Sequence, residues 1–149
     1  MDNPNPQAVR RIDALLEHYA QSHRHPLNER IHYVAIPLIM LSLIGLLFSV
    51  HPWLAYAFIL ASMVYYLRLS LPFAWAMTAW SAVLLALVHA MGPHRVVWCV
   101  SIFVGAWVLQ FIGHKIEGKK PSFFEDIQYL WVGPLFVLQP LMRQFHVAW

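Results

Sequence analysis

Two short polar clusters interrupt an otherwise apolar chain: His23-x4-Asn28-x3-His32 and Gln110-x3-His114-x2-Glu117. Residues four apart share a helix face, so Asn28 aligns with His32. Gln110, His114 and Glu117 fit one stripe at i, i+4 and i+7. The first cluster precedes the first long apolar run, and the second closes the fourth. Imidazoles and carboxylates are costly near membrane depth and mark function by default. Histidines with a carboxylate are also the usual ligands of a redox metal. An imidazole pair from one helix with an imidazole and a carboxylate from another would resemble a non-haem iron site with open positions. Helix-end histidines and a capping glutamate would show the same spacing.

The elements that must carry these clusters follow from composition. The chain has 149 residues, enough for one domain, 1–149. It is 60% hydrophobic and only 11% charged, against about 25% in an average soluble protein, and its mean hydropathy is +0.55. These values predict an integral membrane protein. Four apolar runs at about 31–50, 53–71, 73–91 and 96–112 are candidate spans, since about 20 residues cross a bilayer. The second reaches that length only if it continues past Arg68 to Leu69 and Leu71. Gly113 and the charged stretch 115–120 close the fourth.

Residues 7–21 place Ala8, Ile12, Leu15, Leu16 and Tyr19 on one face, an amphipathic helix for the membrane surface or the bundle end. His25-Pro26 reads as a helix start. The stretch 127–142, broken by Pro134 and Pro140, reads as a re-entrant or interfacial segment. The predicted fold is all-α: a membrane four-helix bundle with an amphipathic N-terminal helix and this C-terminal segment. No cleavable signal is expected in the polar, proline-bearing residues 1–6. The sole cysteine, Cys99, sits in an apolar run and excludes a disulfide framework.

With four spans, Arg10, Arg11, Arg24, Arg30, Arg68, Lys115, Lys119, Lys120 and Arg143 fall on one side and Arg95 alone on the other. That asymmetry predicts both termini in the cytoplasm. It also reads the net charge of +3 as topology signals, with no nucleic-acid partner. His18, His23, His25, His32, His114 and His146 sort to the cytoplasmic side, and His51, His89 and His94 to the far side. The two clusters therefore converge on one face, although over 80 residues separate them. His25 reads as a cap or surface residue, His51 as a loop residue, and His89 with His94 as a broken helix end or a second metal pair. Gln139 could turn into the pocket. There is no glycine-rich phosphate loop, paired Cys-x-x-Cys or Gly-x-Ser-x-Gly elbow.

The run Tyr19-x3-His23-x4-Asn28-x3-His32-x4-Pro37 resembles the opening signature of the Mpo1-like membrane family, formerly domain of unknown function 962. So does Gln110-Phe-Ile-Gly-His114-Lys-Ile-Glu117-Gly-Lys-Lys-Pro121-Ser, followed by Gly133-Pro134. The resemblance covers about residues 10–142. It implies an iron(II)-dependent dioxygenase that shortens long-chain 2-hydroxy fatty acids by one carbon, an alpha-oxidation, with O2 as co-substrate. Carried over, the family's polar positions match His23, Asn28, His32, Gln110, His114 and Glu117. On this basis His23, His32 and His114 are the expected ligands of Fe(2+). Glu117 is a fourth ligand or a partner that orients an imidazole. Asn28 and Gln110 hydrogen-bond substrate or ligands. Members often carry a glutamate near the end of the last apolar stretch, where this chain has Gln139. The expected setting is the inner membrane of a bacterium or the endoplasmic reticulum of a eukaryote, among membrane lipids. A homo-oligomer is left open. The competing readings are a non-enzymatic lipid-binding scaffold or small transporter, and a di-iron lipid hydroxylase.

Overall fold

The computed structural model describes residues 10–118 and 129–149. Among the described residues six α-helices run in chain order: α1 (Arg11–Ala20), α2 (Pro26–Val50), α3 (Pro52–Leu69), α4 (Leu71–Ala90), α5 (Arg95–Glu117) and α6 (Val132–Gln144). A 3-10 turn, Gly92–His94, leads into α5, and no strand occurs among the described residues. Helices α2, α3, α4 and the turn continuing into α5 are each long and apolar enough to cross a membrane. Their outer faces carry exposed Trp53, Leu60, Trp75 and Val97, as a lipid-facing surface requires.

The boundaries follow local chemistry that hydropathy alone does not show. Pro26 starts α2 and Pro52 starts α3, where a missing N–H costs nothing. The rings of His25 and His51 cap these starts by accepting from the N–H groups of Leu27 and Trp53. Single residues, His51 and Ser70, join α2 to α3 and α3 to α4, so neighbouring helices run antiparallel. Gly118, at φ 73°, takes the left-handed conformation that stops α5 immediately after Glu117.

Several expectations are corrected. The first span begins at Pro26 rather than 31, and the fourth extends to Glu117 rather than 112. Asn28 and Glu117 are thus helical, as the one-face spacing of the two clusters and the helix start at His25-Pro26 predict. Gly113, expected to end the fourth run, lies inside α5. The second span does not continue to Leu71. Ser70 turns extended, and Leu71 and Pro72 begin α4, because Pro72 has no N–H to carry the α3 ladder onward. Of the amphipathic stretch 7–21, Arg11–Ala20 is helical; its buried face is Ile12, Leu16 and Tyr19. Residues 7–9, with Ala8, lie outside the described residues, as do Lys119, Lys120 and Pro121.

The most extensive contact joins α2 and α5, and small residues let the two backbones approach. At the far end, a Cβ on Gly45 would overlap the Cys99 sulfur; at the near end, one on Gly113 would overlap the Asn28 amide oxygen. Helix α6 continues through Pro140 and packs on α1 and α2. The core there joins Leu16 and Tyr19 to Val132, Leu135 and Phe136. Trp149 donates from Nε1 to Asp13 at 3.1 Å, and Tyr129 hydrogen-bonds His18, so both ends of this region are tied to α1.

Candidate metal centre

Three elements deliver three imidazoles to one point. His23 sits in the loop between α1 and α2, His32 on the second turn of α2, and His114 on the last full turn of α5. All three are buried, and one ligand nitrogen from each lies within 4.8 Å of the others. Ring centroids are 4.2 Å apart for His23 and His32, 5.1 Å for His32 and His114, and 5.5 Å for His23 and His114. Metal–nitrogen bonds of about 2.1 Å place neighbouring ligand atoms about 3–3.5 Å apart, so modest ring rotations close the set around an ion.

Two of the rings are oriented for this. His23 Nδ1 lies 2.8 Å from the Tyr19 carbonyl, and His32 Nδ1 lies 2.9 Å from the Asn28 carbonyl. A carbonyl only accepts, so each Nδ1 carries the hydrogen and Nε2 keeps the lone pair. This is the usual way a protein aims a metal-binding histidine. Tyr19 also stacks on His23, with centroids 4.2 Å apart and planes 12° from parallel.

Glu117 does not join the three nitrogens. Its Oε1 accepts from the Arg24 N–H at 3.1 Å. Its Oε2 accepts from the His25 N–H at 2.8 Å and from the Asn28 side-chain amide at 3.1 Å. The carboxylate thereby ties the end of α5 to the loop that carries His23 and to the first turn of α2. Asn28 is fully buried; its amide also donates to the Ser22 carbonyl at 3.3 Å. Gln110 is buried one turn before His114 and lines a cavity with Tyr19, Ile36 and Trp107.

All six polar positions named from the sequence therefore meet at one end of the bundle, three as candidate ligands and three around them. Gln139 does not. It is half-buried on the face of α6 turned toward α1, beside Asp13, Glu17 and Arg143. Among the far-side histidines, His89 packs on the ring of Phe48, 4.8 Å between centroids, and His51 is a helix cap. The sequence reading put Tyr19 on the amphipathic face and Gly113 at the end of the fourth run, and gave neither a part in the site. The spacing Tyr19-x3-His23 was visible, but a backbone carbonyl as ring partner leaves no mark in residue type.

The family model described as 2-hydroxy-palmitic acid dioxygenase Mpo1-like matches residues 9–145. The chain belongs to that family. The match spans both polar clusters and all four apolar helices, so the histidine trio lies within the Mpo1-like region rather than in an appendage. No curated protein and no solved structure matches the chain.

Gly113 makes a sharp test of this packing. A methyl group there must displace the buried Asn28 amide, while the Cε1 of His32 would lie in ordinary contact at 3.4 Å. Gly113→Ala is expected to cost about 1–3 kcal/mol, as overpacking does, and to lower bound metal. Gly105→Ala, on the same helix with open space around it, should leave bound metal unchanged and, if anything, stabilise the helix by about 0.5–1 kcal/mol. Denaturant titration and metal analysis of both variants check this.

Proposed function

We propose that this chain is an iron(II)-dependent dioxygenase that shortens long-chain 2-hydroxy fatty acids by one carbon. The observation that carries the reading is the buried set of three histidines, two with the hydrogen held on Nδ1 by backbone carbonyls, inside a chain of a dioxygenase family. Imidazole suits iron, and three protein nitrogens leave coordination positions for other groups. Iron, when bound, supplies the redox chemistry with O2 that no amino-acid side chain can.

The chain's own residues do the rest. His23, His32 and His114 hold the metal. The Tyr19 and Asn28 carbonyls fix two of the rings. Glu117 anchors the His23 loop, and Asn28 braces that carboxylate from α2. Gln110 faces the adjoining cavity and offers its amide to the polar head of the substrate. The hydroxyl and carboxylate of a 2-hydroxy acid present two oxygens on adjacent carbons, which a single metal can chelate. An unsubstituted acid lacks one of them. The apolar interior shields the site from bulk water.

Purified protein with ferrous iron and O2 should therefore convert 2-hydroxypalmitate to the fifteen-carbon acid and leave palmitate intact, as read by mass spectrometry. Equal inactivity toward both acids in iron-loaded protein would contradict the reading and favour a lipid-binding scaffold.

The trio lies at the end where α2 begins and α3 and α5 finish, and Arg24, Arg30, Arg68 and Lys115 at that end support a cytoplasmic orientation. In a Cys99→Ala background, Val147→Cys should be protected from an impermeant thiol reagent in sealed right-side-out cells. His94→Cys should be labelled. The reverse pattern would invert the topology.

A further inference from the structure

A groove of about 420 Å³ lies between α1, α3 and the residues that lead into α6. Leu15 of α1, Ala61 and Tyr65 of α3, and Tyr129 and Trp131 ahead of α6 wall it, and the exposed Arg11 lines it as well. Its volume falls in the range of about 300–1,000 Å³ typical of small-molecule sites. Trp131 is held there by two hydrogen bonds to α3: its Nε1 donates to Ser62 at 3.0 Å, and its carbonyl accepts from the Tyr66 hydroxyl at 3.1 Å.

The groove opens toward lipid. Ala61 is exposed, and beside it on α3 Leu60, Val64 and Leu67 are exposed by 67%, 46% and 56%. They belong to a helix long and apolar enough to cross a membrane. From Ala61 to Leu69, the end of α3 nearest the trio, the helix rises about 12 Å. One leaflet contributes about 15 Å of hydrocarbon, so the groove lies within the leaflet on the trio's side. Its half-buried rings, Tyr65, Tyr129 and Trp131, are of the kind that gathers where hydrocarbon meets headgroups.

Charge then selects the occupant. No carboxylate lines the groove among the described residues. Asp13, two residues after Arg11, is engaged elsewhere: it accepts from Arg10 at 2.8 Å and from Trp149 Nε1 at 3.1 Å. Arg10 with Asp13 is also the one ion pair among the described residues, so Arg11 keeps its full charge beside an apolar, aromatic wall. A guanidinium offers a planar fork of N–H donors that matches a phosphate. The neighbouring hollow between α1 and α6 differs, because Asp13 and Glu17 there offset Arg143.

We propose that this groove binds an anionic phospholipid of the surrounding bilayer, with its phosphate on Arg11 and one acyl chain against Leu15, Ala61 and Tyr65. The second chain lies along the exposed stripe of Leu60, Val64 and Leu67. None of the three histidines lines the groove, so this site is separate from the metal centre and stands whether or not the chain shortens hydroxy acids.

Delipidated wild-type protein in neutral detergent is titrated with phosphatidylglycerol or phosphatidylcholine, and bound lipid is counted by native mass spectrometry. Phosphatidylglycerol should bind at least about fivefold more tightly, the contribution of one basic side chain near a lipid surface. Arg11→Gln should erase that preference, and Arg11→Lys should keep most of it. Arg30→Gln removes another exposed positive charge from the same end of the bundle and should leave the preference unchanged. A preference that survives Arg11→Gln, or that Arg30→Gln erases as fully, overturns the site. Displacement of phosphatidylglycerol by an equal concentration of 2-hydroxypalmitate would assign the groove to the free acid and overturn it too. Phosphatidylglycerol with a diazirine midway along one acyl chain tests the place in wild-type protein. Label at Ala61 and Tyr65 supports the groove, and label confined to Val83 and Leu87, on the outer face of α4, refutes it.

Discussion

His23→Ala, His32→Ala and His114→Ala should each strip the chain of bound iron and abolish shortening of 2-hydroxy acids. Each removes one of the three nitrogens that lie within 4.8 Å of one another, and two ligands cannot retain what three hold. The loss should be similar at all three positions although they come from a loop, α2 and α5. His51→Ala and His94→Ala supply the contrast. His51 caps α3 at the opposite end of the bundle, so its loss should cost about 0.5–2 kcal/mol of stability, as lost caps do, and leave iron in place. Metal analysis by emission spectroscopy alongside a denaturant titration separates the two kinds of loss. Iron retained in two of the three near-side variants would break the trio.

Glu117→Gln should leave much of the iron bound while turnover falls. The carboxylate accepts three N–H groups, from Arg24, His25 and Asn28. An amide of the same shape has one acceptor oxygen and turns an NH2 group toward at least one of those donors. Leaving such a group unsatisfied loosens the loop that carries His23 without removing any nitrogen of the trio. Partners that orient ligands typically contribute roughly 10–100-fold, and that is the fall expected in kcat/KM. Iron content should fall less than in His114→Ala. If Glu117→Gln emptied the site as completely as His114→Ala, Glu117 would be a ligand and its bonds to the loop would reflect only the metal-free arrangement.

Much of the site was legible before any coordinates. The i, i+4 spacing of Asn28 with His32 and of Gln110 with His114 placed each pair on one helix face. Four apolar runs, crossed in turn from the first cluster to the second, brought the two clusters to the same end. What hydropathy misread were the helix ends. The start of α2, with Asn28, Glu29 and Arg30, and the last turn of α5, with His114, Lys115 and Glu117, are polar, so an apolar run stops before the helix does. The first end carried its signal in His25-Pro26, read from the sequence as a helix start, and the second in Gly118. Gly113 misled because glycine ends helices and also lets helices touch, and only the packing of α2 on α5 decides between these roles. Gln139 failed for a related reason. Its place in the chain says nothing about which face of α6 meets α1. The task of Glu117 rests on backbone N–H groups some 90 residues away, and every non-proline residue has one.

The most direct measurement is the iron content of the purified chain, prepared with ferrous iron under anaerobic conditions and freed of loosely held metal. The one such group of three histidines among the described residues predicts one iron per chain in the wild type and far less in His114→Ala. No tightly held iron in well-folded wild-type protein, or two irons per chain, would contradict the mononuclear centre on which the proposed reaction stands.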